Sequence, residues 1–165
     1  MSDTAPTDDG TALVVRAAEP RDLAAVTALV RELATSFEPD ADRVAAGFAD
    51  LLASTAAGGA HGRLTVAEDE GRVVGYCLAA WHTTLHANGP AVWVEELCVD
   101  ATRRGSGVGS ALMADVEAWA ARRGAVVVAL ATRRAGAFYA GLGYEESAAY
   151  LRKILRDVPR GDALS

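Results

Sequence analysis

The order of apolar runs in this chain predicts a mixed α/β (α+β) fold: a twisted, mostly antiparallel mixed sheet of six to seven strands flanked by about four helices. Three observations carry that reading. Short β-branched runs recur between turn residues. Two of them flank Glu68-Asp69-Glu70-Gly71, a hairpin signal. Two others are separated by a glycine-rich turn and one amphipathic stretch, a strand–helix–strand unit. Hairpins combined with such a unit require a mixed sheet with helices packed on its faces.

The elements follow in order. ALVVRAA (12–18) is a short strand. Pro20 and Asp22 open a helix in which Leu23, Val26, Leu29, Val30 and Leu33 fall at helical spacing. Pro39 and Asp40 open a second, with Val44, Phe48, Leu51 and Leu52 on one face. ASTAAGGAHG (53–62) is small and glycine-rich, and reads as a mobile loop. RLTVAEDEGRVVGYCLAAW (63–81) is the hairpin, HTTLHANGP (82–90) a polar loop, and AVWVEELCVD (91–100) the next strand. A helix is expected from about Gly107 to Arg122, with Ala111, Leu112, Val116 and Trp119 inward. AVVVALAT (125–132) is continuously apolar, as for a strand covered on both faces. RAGAFYAGL (134–142) is a short helix stopped by Gly143, and YEESAAYLRKIL (144–155) reads as one or two strands. Residues 1–10 and 158–165 read as flexible tails around one domain, 11–157.

Composition narrows the function classes. The 165 residues are 51% hydrophobic and 23% charged, as in an ordinary single globular domain. The net charge of -6 argues against a nucleic-acid partner, for which a basic face supplies most of the affinity. No apolar run approaches the roughly 20 residues that span a bilayer. The start, MSDTAPTDDG, has neither the basic nor the apolar part of a secretory signal, so a cytoplasmic protein is expected. Cys77 and Cys98 form no CxxC pair and read as reduced core residues. His61, His82 and His86 lie in or beside loops without ligand partners, so no metal is expected.

The chemistry starts at Arg104-Gly105-Ser106-Gly107-Val108-Gly109-Ser110, between a strand and a helix start. Glycines let a ligand approach the backbone. First-turn N–H groups lack internal partners and sit at the positive end of the helix dipole. Together they make a phosphate site, to which Ser106, Ser110, Arg103 and Arg104 add donors and charge. The alternative is a tight turn with no ligand. No Gly-Lys-Ser/Thr follows at Walker spacing, and Leu112 stands where a dinucleotide fingerprint needs glycine.

VEELCVDATRRGSGVGSALM (94–113) resembles the coenzyme A motif of the GNAT superfamily of N-acetyltransferases, whose core is Gln/Arg-x-x-Gly-x-Gly/Ala. AGAFYAGLGYEE (135–146) is similar to that family's later A-x-x-F-Y-x-x-L-G-F/Y segment. The likeness covers roughly residues 12–156. It implies a sheet splayed between strands 91–99 and 125–131, with the pantetheine arm of acetyl-CoA in the gap. The implied cofactor contacts are Leu97, Cys98, Val99, Arg104, Gly105, Ser106, Gly107, Val108, Gly109, Ser110, Thr132 and Phe138. The chain departs from the family at Ser106, where a basic residue is common. Thr132 stands near a frequent Asn, and Ala101 replaces a frequent Pro.

Transfer to nitrogen needs a base, since an alkylamine is protonated at neutral pH. Glu95 and Glu96 lie in an otherwise apolar strand, and alternation points them to opposite faces, so at most one faces the cleft. Both reading as solvated surface residues is the alternative, and the family pattern favours Glu95. The same likeness makes Tyr139 the acid that protonates the leaving thiolate; by itself it reads as a core tyrosine. A strand N–H, of Cys98 or Val99, is expected to meet the oxyanion. Cys98 as a covalent acyl carrier lacks a nearby His. Trp81, His82 and Trp93 are candidates for the acceptor pocket, although aromatics in apolar runs are more often core.

The expected function is therefore direct transfer from acetyl-CoA to a primary amine of a small molecule or peptide. Polyamines, amino acids, aminoglycosides, small arylamines and protein N-termini or lysines all remain open, and a homodimer is expected from the family. The rivals are a non-catalytic acyl-CoA-binding sensor and, disfavoured by the glycine register, a nucleotide-dependent oxidoreductase.

Overall fold

The computed structural model describes residues 13–56 and 61–155. The tails expected at 1–10 and 158–165, and the centre of the stretch at 53–62, lie outside them. β1 is Val14–Ala17. A 3-10 turn at Pro20–Asp22 leads into α1, Leu23–Leu33. The Asp40 carboxylate accepts from the Arg43 N–H at 2.9 Å and caps α2, Ala41–Ala56. That helix takes in the first part of the stretch read as a loop. β2 (Gly62–Asp69) and β3 (Arg72–His82) form the expected hairpin. Glu70 and Gly71 both have positive φ, 50° and 75°, which matches a two-residue turn to the twist of its strands. β4 (Ala91–Val99), a 3-10 turn (Ala101–Arg103), α3 (Val108–Arg122), β5 (Val127–Leu130) and α4 (Gly136–Gly141) complete the order.

The sheet runs β1-β2-β3-β4-β5, with the first four strands antiparallel and β5 parallel to β4. Apolar alternation on β2, β3 and β4 feeds two cores. On one face, Leu112, Met113, Val116 and Trp119 of α3 pack on Ala67, Cys77, Ala79, Val92 and Val94. On the other, Val26 and Leu29 of α1 and Phe48 of α2 pack on Leu64, Val66, Tyr76 and Cys98. No helix among the described residues is long and apolar enough to cross a membrane.

Two expectations need correction. The described sheet has five strands rather than six to seven, because residues 144–155 make no ladder bonds. Their contacts are made by side chains instead. Tyr150 stacks on Trp93 with 6.3 Å between ring centres, and the Arg152 guanidinium lies 5.9 Å over Phe37. Leu151 and Leu155 are left exposed. Secondly, the run 125–132 yields only a four-residue strand at the sheet edge, with Val126 and Val127 exposed rather than covered on both faces.

One buried carboxylate fastens β1, β2 and the start of α1 together. The Arg16 guanidinium donates to both Asp22 oxygens at 2.7 and 2.9 Å, and to Glu68 Oε2 at 2.6 and 3.0 Å. The Glu19 N–H donates to Asp22 Oδ2 at 2.8 Å. Asp22 is only 3% exposed, and its hydrogen bonds from Arg16 hold its carboxyl below the usual range despite burial. A depressed folded value means stabilisation that is complete above an ordinary Asp pKa, near 4, and lost below it. Asp22→Asn is therefore expected to cost about 2 kcal/mol at pH 7, since Arg16 keeps Glu68. Thermal unfolding should show the gap between variant and native chain closing between pH 5 and 3; a gap independent of pH would contradict this account.

Candidate active site

β4 pairs with β3 through Val94↔Ala79 and Glu96↔Leu78, leaving Glu95 as an extra, unopposed residue. This is a β-bulge, and it shifts the alternation. Val94 joins the α3-side core, whereas Glu96 and Cys98 face the α1–α2 side with Tyr76 and Leu78. Parallel pairing with β5 covers only Ala91↔Val127 to Val94↔Leu130 and stops at the bulge. Beyond it, residues 95–99 have no β5 partner. The expected splay between the two strands thus begins at Glu95, with one backbone edge of β4 open among the described residues.

The glycine turn lies at the wide end of this opening. Gly105 and Gly107 have φ of 79° and 89°, a left-handed conformation that side-chain-bearing residues adopt only with strain. Gly107 is the residue before α3, so the N–H groups of Val108, Gly109 and Ser110 form the unpartnered first turn. Among the described residues, no side chain fills the space around Gly105 or Gly107. The nearby cations are already engaged. Arg104 pairs with Glu32 of α1 and donates to the Val99 carbonyl at 3.1 Å, and Arg103 pairs with Asp69 at 2.5 Å. The Ser106 hydroxyl, expected to donate to a ligand, donates to the Arg103 carbonyl at 2.6 Å.

The two motifs meet. A Cβ on Gly109 would lie 3.1 Å from Cζ of Phe138, so α4 rests against the first turn of α3. Phe138 and Tyr139 pack edge-on at 4.9 Å, and Tyr139 lies 5.8 Å from Tyr144, whose hydroxyl donates to Glu117 at 2.8 Å. Burial pushes the Tyr139 phenol up to about 12, so it carries its proton at neutral pH. The Thr132 hydroxyl accepts from the Ala135 N–H at 3.0 Å, within the turn that leads into α4. Leu97 and Val99 pack on the α3-side core, and the Val108 side chain is buried there, leaving its N–H as its contribution to the turn.

Of the strand carboxylates, Glu95 is exposed on the bulge, and Glu96 is half-buried, accepting a 2.7 Å hydrogen bond from the Tyr76 hydroxyl. The Cys98 thiol is buried, donates to the Leu29 carbonyl at 3.4 Å and is pushed up to about 11 by burial. That environment suits a packed thiol and not an acyl-carrying nucleophile. Trp81 is not beside the opening: its ring packs at a tilt against His61, centre to centre 5.9 Å, and lies under Arg123 at 5.4 Å.

Two residues were not singled out by the sequence. A Cβ on Gly75 would lie 3.0 Å from the Cys98 carbonyl and 3.1 Å from both Val108 and Leu112. Its absence lets the first turn of α3 sit directly on β3. Tyr76 is the other. A glycine inside an otherwise apolar strand was the available signal for the first; nothing marked the second.

Among the described residues, a mixed α/β sheet splits open beside a glycine-lined helix start. The Acetyltransferase (GNAT) domain model matches residues 60–146, more than half of the chain, and the chain belongs to that family of N-acetyltransferases. Solved structures agree in fold. An aminoglycoside N-acetyltransferase, AAC(6')-Iy, in complex with CoA is 21% identical over 92% of this chain and 100% of its own, with a TM-score of 0.75. Glucosamine-6-phosphate N-acetyltransferase from Arabidopsis thaliana is 18% identical over 88% and 99%, also at 0.75. An acetyltransferase from Trypanosoma brucei is 24% identical over 87% and 100%, at 0.72. No protein of curated function matches in sequence.

Filling the space at Gly75 tests the seat of α3. Gly75→Ala is expected to cost about 2 kcal/mol, or roughly 4–8 °C in Tm, because one of the crowded atoms is backbone. Acetyl-CoA affinity should fall with it. An unchanged Tm would show that α3 is not tightly seated on β3.

Proposed function

We propose that this chain transfers the acetyl group of acetyl-CoA directly to a primary amine of a small molecule or peptide, in a ternary complex. The observation that carries the reading is the coincidence at one place of a β4 edge unpaired among the described residues, two left-handed glycines and the first turn of α3. Backbone N–H groups of residues 105–110 would hold the diphosphate, where the dipole contributes roughly half a positive charge. Arg104 would exchange Glu32 for a phosphate oxygen. The open edge of β4 offers main-chain groups to the amide-bearing arm as an added strand would.

Glu96 is the better base of the two candidates. It is half-buried, its side chain is fixed, and it faces a helix-covered side of the sheet, whereas Glu95 lies in solvent on the bulge. Glu96 would take the proton of the acceptor's ammonium, directly or through water. The neutral nitrogen would then attack the thioester carbonyl, whose oxygen would meet a β4 N–H near Cys98. Tyr139 is protonated and its hydroxyl makes no hydrogen bond among the described residues. It would give its proton to the departing thiolate.

The direct test is release of free thiol from acetyl-CoA with spermidine, kanamycin, glucosamine, phenylethylamine and a tripeptide with a free N-terminus. At least one should be acetylated. Silence across amines with coenzyme affinity intact would favour an acyl-CoA-binding sensor. Gly107→Glu places a negative side chain where the phosphates belong and should weaken acetyl-CoA binding about a hundredfold or more by calorimetry. Unchanged affinity would remove the phosphate site. Tyr139→Phe should lower kcat roughly a hundredfold at constant acetyl-CoA affinity. Undiminished turnover would leave protonation of the thiolate to water.

A further inference from the structure

Tyr76 stands on β3 opposite Cys98, one diagonal step from Glu96 on the same face of the sheet. Its ring is enclosed by the α1–α2-side core, and the residue is 1% exposed. The hydroxyl alone leaves the apolar surroundings, and it meets Glu96 Oε2 at 2.7 Å. Burial, followed by the charge and hydrogen bond of Glu96, drives the phenol far above its ordinary range, so it is a donor at every working pH. Glu96 forms no ion pair among the described residues. One oxygen is thus held by a neutral, immobile donor, and the other is left with its charge uncompensated.

We infer that Tyr76 is a positioning residue for acceptor binding: by fixing Glu96 Oε2 it presents Oε1 to the ammonium of a primary alkylamine. The inference rests on the reading of Glu96 as the base. A carboxylate on a freely rotating glutamate would lose rotamer freedom each time it received the amine. Here β3 restrains it before the acceptor arrives, which is the preorganisation that proton transfer over hydrogen-bond distance requires. Tyr76 touches neither the amine nor the thioester. It acts only through Glu96, and the choice of a neutral donor over a cation leaves the carboxylate's negative charge available for the substrate.

The experiment is a double-mutant cycle on the full chain, with the fastest amine of the five above as acceptor. Glu96→Gln should lower kcat by about a hundredfold or more. Tyr76→Phe should lower kcat about tenfold, with the KM for acetyl-CoA and the Tm nearly unchanged. The doubly substituted chain should be no slower than Glu96→Gln alone. Multiplicative losses would mean that Tyr76 acts by some other route, which overturns the inference while Glu96 stands. Full activity in Glu96→Gln overturns the reading of Glu96, and the inference with it. A readout without turnover closes the remaining gap: the side-chain carboxyl ¹³C resonance of Glu96, assigned through Glu96→Gln, should move in Tyr76→Phe. A resonance that stays put would show that the hydroxyl does not hold the carboxylate in solution, whatever the kinetics.

Discussion

The pairing of β4 with β5 ends after four residues, and the arrangement of the site depends on that stop. A bulge is a local excess of one residue, yet here it has two effects at once. It turns the strand away from its parallel neighbour, which frees main-chain groups along residues 95–99. It also reverses the alternation, so that Val94 remains in one core while Glu96 emerges in the other. Without the extra residue, Glu96 would share a face with Val94 beneath α3. An open backbone edge and a carboxylate on the opposite side of the sheet from the α3 core therefore have a common cause.

The electrostatics of the glycine turn differ from what its sequence suggests. Two adjacent arginines in a chain of net charge -6 look like a cationic lure. In the fold both are held by carboxylates, Arg103 by the β2–β3 hairpin and Arg104 by the end of α1. What remains free at the turn among the described residues is main chain: first-turn amides of α3 and the space left by glycines. An anion there gains hydrogen bonds from groups that have no other partner, while side-chain charge must first be released from an internal pair. The Glu32–Arg104 contact also joins α1, which covers the Glu96 side of the sheet, to the turn at the mouth of the splay.

Much of the fold was legible because local chemistry and tertiary context agreed. Pro20, Asp40 and Gly71 each sit where a start or a turn requires that residue type. The glycine turn and the Phe138-Tyr139 segment were legible as motifs, and their contact through Gly109 follows from their places around one helix and one strand. Four features were not legible. The bulge leaves no mark in AVWVEELCV, because strand alternation is read by assuming it absent. The run 125–132 is apolar enough for a buried strand but lies at the edge of the described sheet, so hydrophobicity overstated both its length and its burial. Residues 144–155 have strand-like composition without ladder partners; Tyr150 and Arg152 rest on aromatic rings instead. Tyr76 was hidden for a related reason. An apolar run predicts a core tyrosine, and it is one, except for the single oxygen that reaches Glu96.

Gly75 and Tyr76 are neighbours in sequence that serve opposite sides of the sheet: one admits the start of α3, the other holds the strand carboxylate. A slide of β3 by a single position would exchange their faces. The helix start would then meet a phenol ring, and Glu96 would face a hydrogen atom. In the proposed reaction both substrate sites are thus keyed to the alignment of one hairpin strand, and a misregistered β3 would lose the two together.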